Sequence, residues 1–74
     1  MIPMQYLVIV ERSENGFGAY VPDLPGCVAA AETREAVISL IQEAIEFHIE
    51  GLKRSGDPIP KPRSQSELVD VHAA

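Results

Sequence analysis

Three observations predict a small α+β domain with the order β-β-β-α-β, one helix packed on one face of a mostly antiparallel sheet. Short β-rich segments at residues 4–11, 17–21 and 27–31 are separated by turn residues. A single long stretch with helical apolar spacing follows them, and the chain length of 74 residues permits one domain. Consecutive strands joined by short connections favour a meander, with the helix covering one face.

Residues 4–11 alternate Tyr6, Val8 and Val10 with Gln5, Leu7, Ile9 and Glu11. Both sets are largely apolar, which predicts a central strand. The turn at residues 12–16 ends in Asn15-Gly16, a pair that readily takes positive φ in a tight hairpin. Strand two follows at 17–21. Pro22-Asp23-Leu24-Pro25-Gly26 then interrupts pairing, because each proline removes a donor and Gly26 permits a turn closed to other residues. A third strand is expected at 27–31.

Thr33 is placed as an N-cap ahead of Val37, Leu40, Ile41, Ala44, Ile45, His48, Ile49 and Leu52, which recur at helical spacing. Glu35 in the first turn and Lys53 and Arg54 in the last suit the helix dipole, and Gly56 is the expected stop. Ala36 at N3 rules out a capping box. The core is thus expected over residues 4–56. Three alternate prolines in 57–66 predict an extended return linker, and 67–72 a short last strand with Val69 and Val71 inward. No repeat or low-complexity tract interrupts this single domain, 1–74.

The net charge of −5 is uneven. Residues 1–50 hold eight acids against Arg12 and Arg34, a net of −6; residues 51–74 hold four bases against three acids, a net of +1. Clustered bases that would bind phosphate are absent from the body, so nucleic acid is a poor partner and a basic protein a better one. No apolar run reaches the ~20 residues of a membrane span, and the N-terminal stretch lacks a signal-peptide pattern. A cytoplasmic protein is expected, with no membrane partner.

Candidate chemistry is sparse. The single cysteine, Cys27, precludes an internal disulfide. Cys27 with His48 or His72 is the one nucleophile–base combination, and a lone cysteine in a β segment ordinarily serves as a small buried hydrophobe. His48, on the apolar side of the helix, reads as a packing histidine. Glu43, Glu46 and Glu50 form one helical stripe, which suits either a solvated face or contact with a basic partner. They do not converge as a metal-dependent nuclease requires. No catalytic residue, metal site or cofactor is expected. Asp23 in its turn should bond nearby backbone, and Pro58-Ile59-Pro60-Lys61-Pro62 reads as a stiff spacer before it reads as a ligand for an aromatic groove.

Gly16-Phe17, Pro22-Asp23-Leu24-Pro25-Gly26-Cys27, Thr33, Glu43-Ala44-Ile45 and Ile59-Pro60-Lys61-Pro62 resemble the HicB family of antitoxins over residues 6–62. The P-[DE]-L-P-G-C element is the most specific part. The resemblance implies a partial ribonuclease-H-like domain without a nuclease's carboxylate set. It also implies a protein partner, a HicA-like toxin: small, basic, of double-stranded-RNA-binding fold, cleaving messenger RNA until its active surface is covered. Family members form dimers or larger assemblies, so a homo-oligomer, dimer or tetramer, is expected. Ala31 stands where many members have glycine. Full HicB antitoxins carry a C-terminal helix-turn-helix or ribbon-helix-helix domain; none is expected here, and DNA binding is not carried over. Turn exposure and charge place the partner contact at Asp23, Leu24, Pro25 and Gly26 and at Glu43, Glu46 and Glu50. A solitary oligomeric scaffold or regulatory domain is the alternative role.

Overall fold

The computed structural model describes residues 4–73. Strands β1 (Ile9–Ser13), β2 (Gly16–Tyr20) and β3 (Val28–Ala31) form an antiparallel sheet in the order β1-β2-β3, followed by helix α1 (Arg34–Ser55). The α+β meander-plus-helix expected from the sequence is therefore present, with three departures.

The first departure is that the β1 ladder starts at Ile9 rather than at residue 4 and runs on to Ser13. The β1–β2 ladder ends at the Ile9–Tyr20 pair, and beyond it the Val21 amide donates to the Cys27 carbonyl at 3.2 Å, continuing the Tyr20–Val28 register on the β3 side. Residues 4–8 therefore have no ladder partner, although Tyr6 and Val8 still pack against the core. β1 is an edge strand and β2 the central one. The doubly apolar pattern has a different cause: Val10 packs with Ala19 and Ala29 toward α1, whereas the register row Ile9–Tyr20–Val28 lies on the opposite face.

The second concerns the first hairpin, which closes on Glu14 and Asn15, with Ser13 opposite Gly16. Among the described residues only glycines have positive φ, so Asn15 does not take the left-handed conformation. Gly16 is instead required by crowding: a Cβ there would lie 2.3 Å from the Ala31 carbonyl oxygen of β3.

The third is the absence of the last strand expected at 67–72; residues 57–73 carry neither helix nor strand. Val69 and Val71, expected inward, are exposed together with Leu68. The return linker is anchored at the turn between β2 and β3, not along a sheet edge, so the residues after it have no strand to join.

α1 behaves as its sequence dictates. The Thr33 hydroxyl oxygen accepts from the Ala36 amide at 3.1 Å. At the other end Gly56 takes φ 71°, with Gly56 N–H donating to Lys53 and Asp57 N–H to Leu52, the paired bonds that satisfy terminal carbonyls. Val37 and Ile41 are buried, Ala44 and Ile45 partly so, while Leu40 sits exposed on the flank. The core they enter is small: Ala19, Val21, Leu24, Cys27, Val37 and Ile41.

Candidate partner-binding surface

The Pro22-Asp23-Leu24-Pro25-Gly26-Cys27 turn is a compact knot rather than an open loop. Leu24 donates its amide to the Val21 carbonyl and accepts from the Cys27 amide, both at 3.1 Å. Gly26 at φ 86° closes the reversal. These bonds point the Leu24 side chain inward, where it is 0% exposed. Leu24, placed among the contact residues by its position in a turn, is a core residue, and its side chain forms no part of the surface. Pro25 and Gly26 are exposed.

Asp23 is occupied from within the chain. Its Oδ2 accepts from the Arg63 and Ser64 amides, each at 2.8 Å, and its Oδ1 from the Ser64 hydroxyl at 2.6 Å. Three donors aimed at one carboxylate favour its charged form, and the Ser64 hydroxyl is the largest influence holding the acid below the ordinary carboxylate range. The expected local backbone bond is replaced by one to a segment 40 residues away. Nothing in the sequence pairs Asp23 with Ser64, because that contact depends on where α1 delivers the linker. Tyr6 strengthens the junction by donating its hydroxyl to the Pro60 carbonyl. Burial, with the nearby Asp23 charge adding to it, raises the Tyr6 pKa.

Glu43, Glu46 and Glu50 are exposed on α1. Glu50 is paired to Arg54 at 3.1 Å, a solvent-exposed i,i+4 contact of little stabilising effect. Phe47 shares this stripe and is 81% exposed. It was not singled out in the sequence, although a bulky aromatic lying off the apolar face of an amphipathic helix is a usable signal. Phe47 also borders an open groove of about 480 Å³ with Gly26, Cys27, Val28, Ala44 and His48. Cys27 and His48 thus share one lining. Burial raises the Cys27 thiol pKa, which is opposite to the direction that would generate a thiolate nucleophile. His72 is exposed in the tail. Among the described residues no three His, Cys, Asp or Glu side chains gather as metal ligands, and no helix is long and apolar enough to cross a membrane.

Known proteins resemble this chain in sequence and fold. A UPF0150 protein of Thermoplasma acidophilum is 39% identical over 71 residues, covering 95% of this chain and 100% of the relative. Antitoxin HicB 2 of Photorhabdus laumondii is 30% identical over 76 residues, covering 96% of this chain but 52% of the antitoxin, so this chain spans about half of that relative. A chain from a solved HicA3 and HicB3 toxin-antitoxin complex superposes with a TM-score of 0.69 at 33% identity, over 81% of this chain and 70% of that one. The sequence profile described as the HicB-like antitoxin of bacterial toxin-antitoxin systems matches residues 6–73. With its knot, cap and linker all inside that match, the chain belongs to the HicB-like antitoxin family.

Proposed function

We propose that this chain is an antitoxin that binds a HicA-type toxin and blocks its RNA-cleaving surface, acting by coverage and not by catalysis. The family match over residues 6–73 carries the reading. The fold it shares with a chain of a HicA3–HicB3 complex supports it. The proposed contact comprises Pro25 and Gly26 at the knot and Glu43, Glu46 and Glu50 on α1, where exposed carboxylates meet a basic protein. Asp23 contributes by holding the knot and linker together. The setting is the cytoplasm, the acting form a homo-oligomer, and no direct contact with DNA is invoked.

Exposed charges at an interface govern encounter rate and salt dependence more than residual affinity. Glu43→Lys/Glu46→Lys is therefore expected to weaken binding of the cognate toxin by about tenfold at low salt, with the difference shrinking as salt rises. Unchanged affinity and an unchanged salt slope, measured by titration calorimetry, would remove the helix face from the interface. The second reading, a solitary oligomeric scaffold, draws on the row Ile9–Tyr20–Val28, in which Tyr20 and Val28 are exposed. Co-purification from the native host separates the two: an antitoxin emerges with a small basic protein, a scaffold only with itself.

A further inference from the structure

The chain exposes 6331 Å², about 1,800 Å² more than the roughly 4,500 Å² expected of a compact monomer of its mass. Its radius of gyration, 14.5 Å, likewise exceeds the roughly 11 Å of a compact chain of this length. One partner's share of a standard interface, about 800 Å², would fit within that excess.

Part of the excess has an identifiable source. Beyond the Asp23–Ser64 clamp the chain leaves the body, and Leu68, Val69 and Val71 stand 99%, 74% and 82% exposed. These three large aliphatic residues, two of them β-branched and separated only by Asp70, are strand material without a sheet. The clamp fixes where this arm departs, which lowers the ordering cost of docking it elsewhere.

The sheet supplies a matching vacancy. β1 bears Glu11 and Arg12, the charges that ordinarily guard an edge, whereas β3 reads Val28-Ala29-Ala30-Ala31, with no charge and no proline. Among the described residues β3 pairs on one side only, with β2. At the Val28 end of that edge, between it and α1, lies the groove of Cys27, Ala44, Phe47 and His48, and Val28 is 65% exposed.

We propose that residues 67–71 of one copy add as a fourth strand to the free β3 edge of a second copy, and that the exchange is reciprocal. Alternation sends Val69 and Val71 toward the Phe47 groove and Leu68 toward Val28. The same contact made twice gives a closed two-fold dimer. This assignment rests on the self-association proposed above and names the segments that produce it.

Sedimentation equilibrium on the full chain tests it with two variants whose substitutions fall on exposed residues. Val69→Pro/Val71→Pro removes two of the arm's backbone donors and breaks its strand; Val28→Lys/Phe47→Lys guards the edge. Each alone is expected to raise the dimer dissociation constant by about 100-fold, the scale of losing an interface hot spot. An equimolar mixture retains one intact arm and one intact edge, so it is expected to recover a heterodimer. An arm variant that dimerises like the wild type, or a mixture that stays monomeric, overturns the strand exchange while leaving self-association standing. A wild-type chain that is itself monomeric overturns both, including the case in which its arm gains amide protection only when a HicA-type toxin is added.

Discussion

Leu24→Ala separates a core role from a contact role at the most family-specific segment of the chain. Leu24 has no exposed surface and joins Val21, Cys27, Val37 and Ile41 in the buried cluster. Truncation removes three carbon-equivalents at about 0.8 kcal/mol each, and a cavity term raises the total to about 3 kcal/mol. A 74-residue domain has about 4–11 kcal/mol of stability to lose. Since m for urea is about 1 kcal/mol/M in so small a protein, the midpoint is expected to fall by about 3 M. The corresponding fall in Tm is about 12–24 °C. Urea titrations followed by far-UV circular dichroism, at one fixed protein concentration because association adds to apparent stability, measure this directly. Pro25→Ala, one residue along and exposed, is expected to stay within about 0.5 kcal/mol of wild type. A Leu24→Ala midpoint within about 0.5 M of wild type would refute the placement of this side chain in the core.

Other consequences are equally open to measurement. Asp23 has a folded pKa below its unfolded value, so its clamp is in full force above the unfolded carboxylate pKa and is lost as pH falls through the lower folded one; the protection factors of the Arg63 and Ser64 amides, corrected for intrinsic exchange, should fall only in that acid window, and Asp23→Asn should lower them at neutral pH. Gly16→Ala drives a methyl group against the Ala31 carbonyl, and an overpacking cost of about 1–3 kcal/mol should appear in the urea midpoint. Thr33→Ala deletes the helix cap, for an expected loss of about 1 kcal/mol and a Tm lower by roughly 4–8 °C.

The helix was legible because its signals are local. Thr33, the apolar spacing from Val37 to Leu52 and the glycine at 56 each act within a turn or two, and all three operate as expected. The hairpin register was less so. Asn15-Gly16 suggested a positive-φ pair, yet Gly16 is needed for its closeness to Ala31, a residue 15 positions later on another strand. In the candidate surface, Glu43, Glu46 and Glu50 are exposed as their position off the apolar stripe implied. Leu24 is not, because a turn's location in sequence does not reveal which way its hydrogen bonds aim a side chain.

By itself the sequence determined the three strands, the helix and the family, since propensity, periodicity and a rare motif depend on neighbours along the chain. Only the tertiary structure decided that β1 lies at an edge, that Leu24 is core, and that Asp23 clamps Ser64 while residues 67–71 remain unpaired. Those outcomes are settled by contacts between residues far apart in the chain, through the balance of burial and hydrogen-bond satisfaction once the helix has returned the linker to the sheet.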